Sequence, residues 1–155
     1  MSVKPIPAGF RTANVYLTLK NAPEAIEFYK KAFGATEVMR LEMAPGCIAH
    51  AEIKIGDTIL MLTEENLEWG NKAPSTLGGT PVGMMLYVEN VDALFAQAVA
   101  AGATVRMPVE DQFYGDRMGQ VVDPNGHIWS IATHIEDVSL EECQARMQKL
   151  FSAAA

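Results

Sequence analysis

The chain repeats itself. Asn21 has a counterpart in Asn90, 69 residues on. Gly34-Ala35-Thr36 returns 68 residues later as Gly102-Ala103-Thr104, and Gly56 returns 70 residues later as Gly126. Each pair does one local job: an asparagine caps a helix, a glycine ends it, and a second glycine turns a hairpin. A near-constant offset of this kind means two copies of one supersecondary unit, neither of which can bury its apolar face alone.

In the first copy, residues 14–19 alternate. Val15, Leu17 and Leu19 share one face and Asn14, Tyr16 and Thr18 the other, which predicts a half-buried strand. Asn21 and Glu24 have the spacing of a capping box, and Ile26, Tyr29 and Phe33 then recur at helical spacing up to Gly34. Segments 36–43, 47–55 and 58–63 read as strands, the last two joined by Gly56-Asp57. The second copy keeps this order. Residues 82–88 read as a strand, and Asn90 caps a helix carrying Val91, Leu94, Phe95 and Ala98. Strands follow at 103–107, 117–122 and 127–134, with Asp123-Pro124-Asn125-Gly126 as the final turn.

The predicted fold is therefore α+β. One domain over 1–155 holds βαβββ modules at 12–65 and 81–134, a linker at 66–80 and a C-terminal helix at 138–153. The linker is rich in Gly, Pro, Ser, Thr and Asn and carries Trp69, and it reads as a mobile connection or as a lid or partner contact. In the tail, Ser139 and Glu142 form a second capping-box pattern. Leu140, Cys143, Met147, Leu150 and Phe151 give that helix an apolar face, which its own domain or a second subunit must cover.

A net charge of −7 repels phosphate backbones and sets nucleic acid aside as a partner. No apolar run approaches the roughly 20 residues of a membrane span, and the first ten residues lack a signal-peptide core, so a cytoplasmic location is expected. Cys47 and Cys143 have neither disulfide-framework nor zinc-site spacing. No phosphate-binding loop or Ser/His/Asp order is present.

The asparagine-capped helix AIEFYKKAFGA (25–35), GDTILML (56–62) and GDRMGQVVDPNGHIWSIATHIEDVS (115–139) resemble the vicinal oxygen chelate superfamily of glyoxalases, bleomycin-resistance proteins and dioxygenases, within it the PhnB-like branch. The resemblance spans about residues 12 to 150. It implies modules that curl into an incomplete barrel, concave faces that enclose a cavity, and a homodimer. It also implies isomerase, epimerase, ring-cleaving or thiol-transfer chemistry, mostly on a divalent metal such as Ni, Zn, Mn or Fe; other members hold no metal and sequester a drug. Carried onto this chain, the family's ligand positions fall on Asn14, Leu60, Gly83 and Ser130. Such metals take imidazole, carboxylate or thiolate, so this set predicts no metal and no other cofactor.

Alternation assigns the remaining cavity-facing residues. Asn14, Tyr16 and Thr18 come from the first strand, and His50 and Glu52 from the third. Met85 and Tyr87, then Gln120, then Ser130, Ala132 and His134 come from the second module. This mixture suits a small organic ligand. His50 and Glu52 are the candidates for proton transfer; the alternative is a polar pair facing solvent. Beside them, Tyr114, Asp116 and Arg117 lie in a loop near the cavity, where Asp116 and Arg117 either contact a polar ligand or form an internal salt bridge. His127 reads as a structural hydrogen-bond donor and Trp129 as core. The expected function is binding of a small organic molecule without the family metal. The alternatives are a metal-dependent or acid–base lyase, isomerase or dioxygenase, and a dimeric interaction scaffold.

Overall fold

The computed structural model describes residues 3–152. The first module consists of β1 (Tyr16–Leu19), α1 (Ala22–Phe33), β2 (Thr36–Ala44), β3 (Cys47–Ile55) and β4 (Thr58–Glu64). A short helix, α2 (Pro74–Leu77), follows. The second module repeats the order as β5 (Gly83–Tyr87), α3 (Val91–Ala100), β6 (Thr104–Asp111), β7 (Asp116–Val122) and β8 (Ile128–His134), and α4 (Leu140–Ser152) ends the described chain. The two sheets have the same plan, β1-β4-β3-β2 and β5-β8-β7-β6, with the first strand of each parallel to the last. No barrel closes.

The repeat extends to hydrogen bonds. The Asn21 side chain accepts from the Glu24 N–H, and Asn90 accepts from Ala93 N–H at 3.0 Å. The Ala22 N–H at the start of α1 donates to the Glu64 carboxylate at 3.1 Å, and the Val91 N–H at the start of α3 donates to the Thr133 hydroxyl at 2.9 Å. Each helix is thus pinned, through a donor its own backbone leaves free, to the end of its module's last strand.

The apolar sheet faces turn toward the helices. Leu17, Leu19, Ile53, Leu60 and Leu62 of the first sheet share one core with Met84, Val121, Trp129 and Ile131 of the second. The modules are locked by α1 and α3: Gln97 of α3 donates to the Lys31 and Ala32 carbonyls of α1. Phe33 and Tyr29 of α1 pack on Trp129, with ring centroids 4.7 and 5.4 Å apart. Trp129 is fully buried, as its alternation predicts. The His127 ring bonds the Thr18 carbonyl at 2.9 Å, the structural role expected of it.

Three details differ from the sequence reading. The first strand begins at Tyr16, because the Asn14 side chain accepts from Arg11 N–H and donates to Arg11 C=O, closing a turn before the strand. β6 runs on to Asp111 through two register shifts, which an edge strand tolerates along with Pro108. Segment 66–80 is folded: Asn66 bridges Asn71, Pro74 starts α2, Ala73 is fully buried, and its N–H donates to Glu65. In α4 no residue is buried, and Leu140, Leu150 and Phe151 are exposed. Arg146 ties that helix to Glu136 and to the Phe113 carbonyl.

Candidate functional site

Because the apolar faces meet the helices, the polar faces of both sheets look outward. Tyr16, Met85 and Tyr87 remain 53%, 44% and 62% exposed. Among the described residues these expected lining groups therefore stay open to solvent and are not enclosed in a barrel. The expected lining residues form two clusters, one on each sheet.

On the first sheet the Tyr16 hydroxyl lies 3.0 Å from His50 Nδ1, and His50 Nε2 lies 3.4 Å from Glu52 Oε1. β1 and β3 flank β4, so the pair Tyr16 and His50 spans the intervening strand. His50 and Glu52 do share a face, and both side chains are part-buried. A ring whose two nitrogens meet a phenol and a carboxylate can pass a proton between them. Thr18 lies on the same face, paired with Thr63.

The second sheet carries more. Asp116, nearly buried, accepts from the Tyr87 hydroxyl at 2.7 Å and meets His134 Nδ1 at 2.8 Å. His134 Nε2 meets Asp137 at 3.0 Å, a partner beyond the last strand that the alternation of strand residues does not assign. One row further along, Gln120 Nε2 donates to Ser130 Oγ at 3.0 Å. Tyr114 stacks edge-on against Phe113, and burial, then the Asp116 charge, raises its pKa. Arg117 is engaged by Asp92 and Asp111 and not by Asp116. It belongs to an internal salt bridge anchoring α3.

The two carboxylates raise His134 above its ordinary 6.5, the Asp116 hydrogen bond first. A raised folded-state pKa stabilises the fold fully below the unfolded value, and that stabilisation is lost as pH rises through the folded value. An NMR titration should therefore place the His134 midpoint above 6.5. Asp116→Asn should bring it down. A wild-type midpoint at or below 6.5 would refute the assignment.

The register corrects one equivalence. Tyr16 pairs with Met61 and Met85 pairs with Ser130. Tyr16 and Met85 are 69 apart, so the counterpart of Ser130 is Met61, while Leu60 is buried against the helices. The turns differ in length, two residues between Ile55 and Thr58 and five between Val122 and Ile128, and the turn glycine lies five residues before Met61 but four before Ser130, which makes it a misleading ruler for the strand beyond. An offset of 69, taken from the asparagine caps, finds Met61.

A glyoxalase/bleomycin resistance protein/dioxygenase superfamily model matches residues 11–131, and the chain belongs to that superfamily. It is 43% identical over 135 residues to the uncharacterized protein Rv0887c of Mycobacterium tuberculosis, covering 85% of this chain and 79% of that one. It is similar in structure to TioX from Micromonospora sp. ML1, with TM-score 0.63, 25% identity, and coverage of 83% and 100% of the two chains. It is also similar to a glyoxalase-related enzyme from Fulvimarina pelagi, with TM-score 0.64, 25% identity, and coverage of 79% and 87%.

The family's metal positions, corrected, are Asn14, Met61, Gly83 and Ser130. An amide, a thioether, a glycine and a hydroxyl do not make a site for a divalent first-row metal, and the Asn14 amide is already committed to Arg11. Among the described residues, no three of His, Cys, Asp and Glu converge in a way that could hold an ion.

Proposed function

We propose that this protein binds a small organic molecule on the polar faces of its sheets without a resident metal, and that a second copy of the chain closes the site. One observation carries the reading. The faces keep hydrogen-bonded, partly exposed aromatic and polar groups, while the positions that hold a metal in the family offer no set of donors for one. Aromatic and thioether walls with a few aimed polar groups suit an organic ligand. The open faces of a lone chain fit closure by a second copy.

The test is elemental analysis of untagged protein, then thermal shift with Ni²⁺, Zn²⁺, Mn²⁺, Fe²⁺ and Co²⁺ and with a library of small aromatic compounds. The expected result is no stoichiometric metal, no metal-dependent rise in melting temperature, and a rise with some organic compounds. Loss of the Tyr16–His50 contact in Tyr16→Phe or His50→Ala should weaken those hits by about tenfold, equivalent to about 1.4 kcal/mol. Stoichiometric metal that raises the melting temperature would overturn the reading. The Tyr16–His50–Glu52 relay also favours a second reading, acid–base catalysis on the bound molecule. Under it, His50→Ala abolishes turnover and leaves the melting temperature nearly unchanged.

A further inference from the structure

The polar face of the second sheet contains a hydrogen-bond chain with a fixed direction. Arg106 Nη1 donates to Gln120 Oε1 at 3.1 Å, and Gln120 Nε2 donates to Ser130 Oγ at 3.0 Å. A guanidinium can only donate, so the atom of Gln120 that faces it must be the oxygen, and the amide orientation is settled by chemistry. The Ser130 oxygen is then an acceptor from the amide, which leaves its own hydrogen free to point outward. Both ends of the chain therefore present donors: the remaining N–H groups of Arg106 and the O–H of Ser130.

Arg106 reaches this row through an irregularity. Val105 pairs with Val121 and Met107 with Gln120, so two residues of β6 face one of β7, and the bulge re-aims the Arg106 side chain onto Gln120. Its electrostatic setting also differs from that of the three paired arginines. Arg40, Arg117 and Arg146 are each held by two carboxylates. For Arg106 the side-chain partner among the described residues is the neutral Gln120 amide. In a chain of net charge −7, this guanidinium retains charge and donors for something else.

Resting on the proposed ligand site, we propose that the Arg106–Gln120–Ser130 row binds an oxyanion of the ligand, so that the molecule is an organic acid carrying a carboxylate or phosphonate group. The positive charge at the row comes from a side chain. Its charged fork suits a two-oxygen acceptor, and Gln120 holds Ser130 in the donating orientation. Neighbouring Met85 and Met107 lie in the same register row and offer apolar contact for the organic body.

Four matched probes test this on the full chain: benzoate, phenylphosphonate, benzyl alcohol and benzylammonium. Each is titrated at millimolar concentration while the backbone amides of β7 and β8 and the Gln120 side-chain amide are followed by NMR. Benzoate and phenylphosphonate should shift these signals at lower concentration than the alcohol, and the ammonium should bind worst. Arg106→Gln and Ser130→Ala, both at partly or fully exposed positions, should each weaken the anions by about tenfold, and more than they weaken benzyl alcohol. Alcohol binding at the same signals with no gain for the anions overturns the oxyanion assignment and leaves the organic-ligand reading standing. Silence from all four probes overturns both.

Discussion

Replacing Asp123 with alanine should cost about 3–5 kcal/mol of stability, a large share of the roughly 5–15 kcal/mol that holds a domain together. The Asp123 carboxylate is buried and accepts four hydrogen bonds. Oδ1 takes the Asn125 and His127 N–H groups at 2.8 and 3.0 Å. Oδ2 takes the Tyr29 hydroxyl at 2.7 Å and the Trp129 indole N–H at 2.9 Å. Alanine would leave all four donors in the core without an acceptor, and each unsatisfied donor costs about 1–3 kcal/mol before relaxation. The loss also spans the modules, because Tyr29 lies on α1 and Asp123 on the final hairpin. Burial, then the Asp123 carboxylate, raises the Tyr29 pKa well above its ordinary 10, which favours the protonated, donating phenol. Asp123→Asn is expected to be milder, about 1–3 kcal/mol, since one oxygen survives but an NH₂ faces the indole N–H. Urea unfolding followed by the fluorescence of Trp129, in a Trp69→Phe background, measures both. A cost below about 1 kcal/mol for alanine would mean that the network is not what joins the modules.

The sequence already implied much of this architecture, and the limits of that reading have physical causes. Caps and turns act within a few residues, so Asn21, Asn90, Gly34 and the Asp123–Gly126 turn can be read locally, and their spacing exposes the repeat. Trp129 declares itself core because it alternates with Ser130. The role of Asp123 as acceptor for Tyr29 cannot be seen, since it depends on how one module rests on the other across 94 residues of chain. The same packing decides the site. Alternation sorts Tyr16, His50, Glu52, Met85, Tyr87 and Ser130 onto polar faces, but it cannot say whether those faces meet. Only the placement of α1 and α3 leaves them open. Arg106 was missed because a bulge breaks the period of two that a strand reading relies on. Asp137 was missed because it lies beyond the last strand and reaches His134 by a turn of the tail.

Gly115→Ala should destabilise the protein by about 3 kcal/mol or more, whereas the same change at Gly56 should cost only about 1 kcal/mol. Both glycines have positive φ, +100° and +56°, which an alanine adopts at a cost. They differ in what surrounds the missing side chain. At Gly56 nothing lies within 4 Å of an added Cβ; at Gly115 that carbon would sit 2.1 Å from the Glu136 carbonyl oxygen. Backbone cannot rotate aside as a side chain can, and here it is held in place. The Gly115 carbonyl accepts from the Ile135 and Glu136 N–H groups at 2.9 and 3.0 Å. Relief requires the loop before β7 to move away from the chain leaving β8, and Asp116 would move with it. Two readouts should therefore change together. Urea unfolding should show the large loss of stability, and the His134 titration midpoint should fall toward its ordinary value as the Asp116 contact loosens. Equal costs at Gly115 and Gly56 would show that the loop yields freely. In that case the Asp116–His134 pair is not held by the backbone around Gly115, and the polar end of the second sheet owes its geometry to the Tyr87 hydroxyl instead.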